Sequence, residues 1–427
     1  MSGNAEQIET VIIGGGHAGL TMSYYLSQLG RRHVILDRGR VAERWRSERW
    51  DSFYFQFPNW TIELPGYKYQ CDDPDGFVPG QEIVRFIQDY ATFIKAPLRC
   101  GVDVTALEKQ SESERYLLQT NDGTIEASNV VIATGQRQKG RIPLLSSYVP
   151  KDICQLHSSR YRNSGKLPVG AVLVVGCGAS GYQIAEDLQQ NGRQVYICVG
   201  RHRRLPRRYR GRDYGRWAVA LGMYERRRAD LPPGLHNATS VPPGPLLTGV
   251  NGGYDVNLRD LPAKGIVLLG RLQGVKGRTL VLAPDLEENL VKGDEWLNNF
   301  KKSVDDYITK SKMDVPEERA SAESQLSPKK DASASILELD LKAAGITSIV
   351  WATGFGNEYD WLKLPILDDR GEPLHERGVT QFSGIYFLGL RWLYKLKSGF
   401  LAYCGPAEDA AYLAEQITAR NTSVPNS

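Results

Sequence analysis

Three glycines near the amino terminus have the spacing of a dinucleotide-binding site. Gly14, Gly16 and Gly19 fit the pattern G-x-G-x-x-G, between an apolar run that predicts a strand and a stretch that predicts a helix. In this pattern one glycine makes a tight turn, one lets the backbone approach a pyrophosphate, and one lets the helix pack on the strand. Asp37 ends the next predicted strand, 23 residues after Gly14, where its carboxylate is expected to bind a ribose hydroxyl.

A second stretch, GCGASG at residues 176–181, repeats the pattern 162 residues after the first. Gly176, Gly178, Ser180 and Gly181 again lie between an apolar run and a predicted helix. Two complete fingerprints at domain spacing predict two bound dinucleotides, one flavin and one nicotinamide. Where an acid would bind the ribose of NADH, the sequence has glycine and then Arg201. Because a guanidinium pairs with a 2′-phosphate, this favours NADPH.

Two Ala-Thr-Gly sequences end further apolar runs. Ala133 and Gly135 belong to VVIATG, and Gly354 ends the second copy in SIVWATG. We expect each nucleotide-binding fold to contain one such strand, passing beside its nucleotide. Gly389 ends another apolar run, IYFLG, which predicts a buried strand that returns to the flavin.

Two polar residues are candidates for a catalytic role. Asn59 is a carboxamide among aromatic residues in FQFPNW and could point at the flavin edge, or belong to a surface subdomain. His157 lies in QLHSSRYRN, just before the second fingerprint. A single histidine is more often structural than catalytic, and its position is the reason to consider it.

Two strand-turn-helix units are needed to position these residues. We therefore predict an α/β fold with two Rossmann-like dinucleotide-binding domains, the second inserted in the first. The predicted FAD-binding domain comprises residues 1–165 and 340–427, and the predicted NADPH-binding domain comprises residues 166–339. A polar segment rich in lysine, glutamate and serine near residues 315–335 is predicted to be mobile.

The composition of the 427-residue chain excludes several classes of protein. Its net charge of +4 does not by itself predict nucleic-acid binding, and no apolar run is long enough to cross a membrane. The first ten residues do not resemble a signal peptide, so we predict a cytoplasmic protein. The cysteines have no C-x-x-C pair and no metal-ligand spacing, which argues against zinc, an iron-sulfur cluster and a dithiol redox centre.

Residues 201–216 contain eight arginines and one aspartate. Since only one or two of them can reach a phosphate, most are expected to form a solvated basic face, with peripheral membrane contact as an alternative. Arg201 is the expected phosphate ligand. A homodimer is a further open expectation for the assembly of the protein.

The assembled motifs resemble the class B flavin-dependent monooxygenases, the group that includes flavin-containing monooxygenases, YUCCA-type enzymes and Baeyer-Villiger enzymes. The resemblance covers nearly the whole chain, through GGGHAG, both ATG strands, LHSSRYRN, GCGASG and YFLGL. It is most similar to bacterial members labelled as flavoproteins involved in potassium transport. The family fingerprint F-x-G-x-x-x-H-x-x-x-(F/Y) is matched at His157 and Tyr161. Lys151 replaces its phenylalanine and Ile153 replaces its glycine.

The resemblance implies FAD at the first fingerprint, NADPH at the second, and a role for Asn59 near the flavin. It also implies an oxygen transfer from O2 to a small organic substrate through a C4a-(hydro)peroxyflavin, with nitrogen or sulfur oxidation favoured. Baeyer-Villiger oxidation of a ketone, an NADPH oxidase and a redox-sensing regulatory flavoprotein of a membrane transporter stay open as alternatives.

Overall fold

The structure of the chain is a computed structural model that describes residues 5–110, 113–231, 244–318 and 336–423. Its strands are β1 (Glu6–Ile13), β2 (His33–Asp37), β3 (Glu63–Leu64), β4 (Tyr67–Lys68), β5 (Leu98–Cys100), β6 (Val104–Lys109), β7 (Tyr116–Thr120), β8 (Gly123–Ile132), β9 (Lys139–Gly140), β10 (Cys154–His157), β11 (Ala171–Val175), β12 (Val195–Cys198), β13 (Arg203–Arg204), β14 (Arg208–Tyr209), β15 (Arg212–Asp213), β16 (Pro245–Leu246), β17 (Ile266–Leu269), β18 (Leu272–Lys276), β19 (Thr279–Leu282), β20 (Glu338–Asp340), β21 (Ile346–Trp351), β22 (Phe355–Gly356) and β23 (Ile385–Phe387). Its α-helices are α1 (His17–Gln28), α2 (Glu43–Ser47), α3 (Gly80–Phe93), α4 (Ala179–Gln190), α5 (Tyr214–Ala220), α6 (Leu286–Ser311) and α7 (Ala407–Ser423).

The first fingerprint lies at the centre of a seven-stranded sheet. Its strand order is β5-β2-β1-β8-β7-β6, and β23 also pairs with β8. Strand β1 is parallel to both of its neighbours, β2 and β8, while β7 is antiparallel to β6 and β8. Val11 and Ile12 of β1 are fully buried on opposite faces of the sheet. Ile12 packs with residues of α1, α3 and α7, whereas Val11 packs with residues of β6, β7 and the segment 359–366. The loop after β1 therefore opens at the carboxyl edge of the sheet, where this class of fold binds nucleotides.

The second fingerprint lies in a separate parallel sheet with the order β10-β21-β11-β12-β17. All five residues of β11 are buried, which explains their continuous apolar character. Strand β11 is flanked by β12 and β21, just as β1 is flanked by β2 and β8. The prediction that each nucleotide-binding fold has its own Ala-Thr-Gly strand is therefore confirmed, as is the predicted α/β fold with two Rossmann-like units.

Strand pairing places the borders of the second unit differently from the sequence-based borders at residues 166 and 339. Strands β10 and β21 both belong to the second sheet, so this unit begins near residue 154 and ends near residue 351. The sequence-based borders missed these strands because the pairing of β10 with β21 joins residues almost 200 positions apart, such as His157 with Trp351. Of the segment predicted to be mobile, residues 319–335 lie outside the described residues.

Two chain crossings connect the units, and they pair with each other. Strand β9 on the outgoing crossing is antiparallel to β22 on the returning crossing. In the described parts of the chain, no helix is long and apolar enough to span a membrane. Within those same residues, no cluster of histidine, cysteine, aspartate or glutamate has the arrangement of a metal site.

Candidate functional site

In the first glycine turn, Gly14 and Gly19 are tightly packed, whereas Gly16 faces open space. Gly14 has a φ of +113°, and a Cβ added there would lie 2.5 Å from the carbonyl oxygen of Ala133. A Cβ on Gly19 would collide with the carbonyl oxygen of Gly14, so α1 can approach β1 only if this residue is glycine. A Cβ on Gly16 would meet nothing within 4 Å. The turn therefore leaves open space at the one glycine that is expected to face a pyrophosphate.

The second glycine turn has the same geometry. Gly176 has a φ of +106°, and a Cβ there would lie 2.6 Å from the carbonyl oxygen of Ala352 in the second Ala-Thr-Gly sequence. A Cβ on Gly181 would collide with Gly176, whereas Gly178 again faces open space. Ser180 lies in the first turn of α4, the helix that begins at this loop. Each unit thus presents a helix N-terminus behind an open glycine, which is an arrangement that accepts an anion.

The carboxylate of Asp37 lies beside the first glycine turn. Its Oδ2 accepts a hydrogen bond of 2.6 Å from the amide of Gly15, and its Oδ1 accepts one of 2.8 Å from the amide of Gly39. These bonds hold the acid at the carboxyl end of β2, next to the open space at Gly16. A carboxylate in this position can accept hydrogen bonds from a ribose.

The second unit has no acid at the equivalent position. Because Leu36 pairs with the last residue of β1, and Cys198 pairs with the last residue of β11, the equivalent of Asp37 is Val199. The sequence had suggested Gly200 for this position, one residue too late. Val199 is fully buried and Arg201 is exposed two residues further on. The side chain of Arg271, which forms an ion pair with Asp285, lies 3.5 Å from a Cβ built on Gly200. It is a second cation at this edge that sequence reasoning missed.

The arginine-rich stretch 201–216 is mostly not a solvated face, contrary to the expectation from its sequence. Arg207 is 1% exposed and donates two hydrogen bonds of 2.8 Å to the buried carboxylate of Asp213. The others bind acids, carbonyl oxygens or aromatic rings: Arg203 lies over Trp296, Arg204 binds Asp294, Arg208 binds the carbonyls of Gly252 and Gly253, Arg210 binds Asp305, Arg212 lies over Trp217, and Arg216 binds Asp75. Acids distant in sequence pair with three of these arginines, so much of the stretch is engaged within the protein.

Arginines from both units come close together between the sheets. Arg137 follows the first Ala-Thr-Gly turn, Arg391 follows Gly389, and Arg203 follows β12 of the second unit. The pKa of Arg391 is lowered to about 10, chiefly by burial and further by the charges of Arg203 and Arg137. The pKa of Arg49 is lowered to about 9 by burial and by neighbouring guanidinium groups. Such a concentration of positive charge suits the phosphates of dinucleotides. The sequence contains no local motif that marks this group.

The remaining glycines of the predicted cofactor sites lie at strand ends. Gly135, Gly354 and Gly389 all have a left-handed φ, of +79°, +83° and +75°. Ala133 donates its amide hydrogen to the carbonyl of Ile13, which holds the first Ala-Thr-Gly turn beside the glycine loop. Gly389 lies against Ala18 of α1, since a Cβ there would be 2.7 Å from the alanine methyl group. The structure thus brings the predicted flavin-site glycines together around the start of α1.

Both ring nitrogens of His157 have partners within the protein. Its Nε2 lies 2.9 Å from the carbonyl oxygen of Gly354, and its Nδ1 accepts a hydrogen bond of 3.2 Å from the amide of Ser159. The ring also packs edge-on against Phe355, and burial lowers its pKa. Gly140 passes directly over the ring, where a Cβ would collide with it. His157 therefore supports the two crossings between the units.

Asn59 lies in a short 3-10 helix, Asn59–Thr61, and is 6% exposed. Its Nδ2 donates a hydrogen bond of 2.9 Å to the carbonyl oxygen of Asp73. Its Oδ1 is buried and has no hydrogen-bond partner among the described residues. A buried acceptor without a partner is costly, so this oxygen is available for a ligand.

His17 is a residue of the first glycine turn that the sequence analysis did not single out. Burial lowers its pKa to about 4, although a hydrogen bond to the carbonyl of Gly399 opposes this shift. Its Nε2 is buried without a partner in the described structure. Gln136, just after the first Ala-Thr-Gly turn, donates to the same Gly399 carbonyl over 3.2 Å. These contacts bring Gly399, in the carboxyl-terminal part of the chain, beside the first fingerprint.

Known proteins resemble this chain in sequence and in fold. Residues 11–212 match the sequence profile of the pyridine nucleotide-disulphide oxidoreductase family. The chain is 31% identical over 413 residues to an uncharacterized oxidoreductase, CzcO-like, of Geobacillus kaustophilus, covering 96% of this chain and 98% of that protein. Its fold is similar to that of a flavin-containing monooxygenase from Stenotrophomonas maltophilia, with a TM-score of 0.63, 18% identity and coverage of 97% and 99% of the two chains. It is also similar to OTEMO in complex with FAD and NADP, with a TM-score of 0.56, 15% identity and coverage of 98% and 87%.

Proposed function

The chain belongs to the class B flavin-dependent monooxygenases, enzymes that use FAD, NADPH and O2, and from this premise we propose that it oxidises a nitrogen or sulfur atom of a small organic substrate. The observation that carries the proposal is the pair of matched glycine turns, each open at its second glycine. Two such turns in one chain allow one bound nucleotide to be reduced by the other.

We assign the first turn to FAD. Gly14, Gly16 and Gly19 would form the loop around its pyrophosphate, and Asp37 would bind its ribose. Ala133, Gly135 and Gly389 would lie along the same nucleotide, because they surround the start of α1. Bound FAD supplies the chemistry of electron transfer and oxygen activation, which no side chain of a protein can supply alone.

We assign the second turn to NADPH. Gly176, Gly178, Ser180 and Gly181 would hold its pyrophosphate at the N-terminus of α4, and Gly354 would pass beside it. Arg201 would bind the 2′-phosphate, since it is exposed and the buried Val199 stands where an acid would discriminate against this group. Arg271 lies near enough to this edge to assist.

The protein's own contribution is to position the reactants and exclude water. Phe55, Phe57 and Asn59 are buried, and Phe57 packs against Phe400 and Tyr403. An apolar wall with one unpaired amide oxygen therefore lies in the flavin-binding unit. We propose that the Oδ1 of Asn59 accepts a hydrogen bond from flavin or substrate. We propose that His157 is a positioning residue, because both of its ring nitrogens already have protein partners.

The preference for nitrogen or sulfur rests on the family resemblance. His157 and Tyr161 retain the second half of the family fingerprint. In the family, phenylalanine or tyrosine at the last position, here Tyr161, is the form of the heteroatom-oxidising branch, whereas Baeyer-Villiger enzymes have tryptophan there. Tyr161 is fully buried, so this half of the fingerprint forms part of the folded core.

The test is a balance of oxygen atoms. Purified, FAD-loaded protein is mixed with NADPH and ¹⁸O2 in the presence of thioethers, tertiary amines or ketones, and products, NADPH consumption and H2O2 are measured. We expect one ¹⁸O atom in a sulfoxide or N-oxide for each NADPH oxidised. Labelled esters from ketones would replace this proposal with Baeyer-Villiger chemistry, and H2O2 equal to NADPH with every substrate would indicate an oxidase.

A further inference from the structure

A short segment of the flavin-binding unit is embedded in the other unit. Residues 49–53 lie between β2 and α3, and the ring of Trp50 is 6% exposed. Trp50 packs in the hydrophobic core of the second sheet, with residues of β11, α4 and β12. Phe53, three residues later, accepts a hydrogen bond of 2.8 Å from the amide of Gly80, the first residue of α3. The segment is therefore anchored in both units at once.

A carboxylate on α4 binds this segment from the other side. Asp187 accepts a hydrogen bond of 2.5 Å from the hydroxyl of Ser52 at one oxygen and another of 2.5 Å from the hydroxyl of Tyr161 at the other. Hydrogen bonds to an ionised carboxylate are short and strong relative to neutral ones. Tyr161 is fully buried, so its hydroxyl has a fixed direction. Asp187 thus joins α4, Tyr161 of the segment after β10, and the embedded segment.

Arg162 and Asn163, which follow β10 in the second unit, reinforce the same contact. The amide of Asp51 donates to the carbonyl of Arg162 over 2.9 Å, and Asn163 Nδ2 donates to Asp51 Oδ2 over 2.6 Å. Arg162 in turn donates to the carbonyl of Arg49 over 3.2 Å. One of these contacts is made at Arg49 and two are made at Asp51, so the segment has a defined register on the second unit.

The contact at Asp187 lies on the helix that carries the second glycine turn. The N-terminus of α4 carries the second glycine turn, which we assign to NADPH, and Asp187 lies later on the same rigid helix. Residues 49–53 continue into the buried Phe55 and Phe57 of the flavin-binding unit. A movement of the segment along α4 would therefore change the distance between the two proposed cofactor sites.

We propose that residues 49–53 form a docking segment that sets the distance between the nicotinamide and the flavin, with Trp50 and Asp187 as positioning residues for hydride transfer. The inference rests on the proposed sites for FAD and NADPH but not on oxygen transfer or on the substrate. Hydride transfer requires close contact of donor and acceptor, so a displacement of about 1 Å can slow it up to about 100-fold.

The experiment measures anaerobic reduction of the bound FAD by NADPH in a stopped-flow instrument. For Asp187→Ala and Trp50→Leu we expect the limiting rate constant to fall at least about tenfold, with the Kd for NADPH changed by less than about twofold. Asp187→Asn keeps an oxygen acceptor for Tyr161 and should restore most of the rate. Asp152→Ala removes an exposed carboxylate just before the second unit, Trp296→Leu removes an exposed indole on α6, and both serve as controls.

A second readout does not depend on reduction. Hydrogen-deuterium exchange of the protein without cofactors should accelerate at the amide of Asp51 in Asp187→Ala, and not in Asp152→Ala. Tyr161→Phe removes a single hydroxyl and provides a milder variant should Trp50→Leu fail to fold. Unchanged reduction rates or unchanged exchange would overturn the docking segment. Absence of FAD reduction by NADPH in the wild-type protein would instead reject the proposed function, and this inference with it.

Discussion

The Nε2 of His157 lies 2.9 Å from the carbonyl oxygen of Gly354, in the second Ala-Thr-Gly turn. This bond joins β10, the first strand of the second unit, to the turn beside the proposed NADPH site. A residue considered for catalysis is thereby placed where it supports a backbone turn.

Replacement of His157 should affect structure and NADPH binding more than proton transfer. We expect His157→Leu to lower the free energy of unfolding by about 1–3 kcal/mol, because the Gly354 carbonyl and the Ser159 amide lose their partner. Burial lowers the pKa of His157, which favours the neutral ring. The rate constant for FAD reduction should then have the same pH profile in His157→Gln as in the wild type. Loss of an ionisation near neutral pH in this variant would support a catalytic role.

The open and packed glycines of each turn should respond differently to alanine. Gly16→Ala should change the free energy of unfolding by no more than about 1 kcal/mol, since its Cβ meets nothing, yet lower the affinity for FAD. Gly19→Ala places a methyl group against the Gly14 carbonyl and should destabilise the protein by about 1–3 kcal/mol or more. Chemical denaturation and FAD titration separate the two effects. Gly178→Ala, which should spare FAD and weaken NADPH, is the control from the other unit.

Arg201 should distinguish the two nicotinamide cofactors. We expect Arg201→Ala to raise the KM for NADPH about tenfold or more and to leave that for NADH nearly unchanged, because only NADPH has the 2′-phosphate. Arg216→Ala removes an arginine of the same stretch that already binds Asp75, and should change neither value. Equal effects of Arg201→Ala on both cofactors would reject its assignment.

The buried pair of Arg207 and Asp213 should be a major determinant of stability. Asp213→Asn leaves the guanidinium of Arg207 buried without its counter-charge, and we expect a loss of about 3–5 kcal/mol in the free energy of unfolding. Asp75→Asn breaks an exposed pair with Arg216 and should cost less than about 1 kcal/mol. Urea denaturation of both variants measures the difference. Similar small losses would mean that residues 201–216 are solvated after all.

His375 should make the protein less stable in acid. Burial and the charge of Arg228 lower its pKa to about 4, and Nδ1 accepts a hydrogen bond from the Gly378 amide. Because the unfolded state binds the proton more readily, the contribution of His375 is present above pH 6.5 and is lost as the pH falls towards 4. Between pH 7 and 5, the wild type should lose about 1–2 kcal/mol more than His375→Gln. Parallel stability curves for the two proteins would contradict this account.

Residues that act through local backbone geometry could be predicted from the sequence. The glycine turns, both Ala-Thr-Gly strands and Asp37 lie where the sequence placed them, because a turn without Cβ atoms and a strand-turn-helix unit are determined by neighbouring residues. The absence of a C-x-x-C pair likewise follows from the sequence alone.

Features that depend on residues distant in the chain were decided only by the tertiary structure. Asp294 and Asp305 neutralise arginines about 90 positions earlier, so counting charges within residues 201–216 could not reveal the partners. The borders of the second unit depend on pairing of β10 with β21, and the docking segment depends on contact of Trp50 with a core formed more than 100 residues later. Sequence specifies the local glycine turns that we propose to bind nucleotides, whereas charge compensation and the spacing between the two proposed cofactor sites arise only when distant segments pack together.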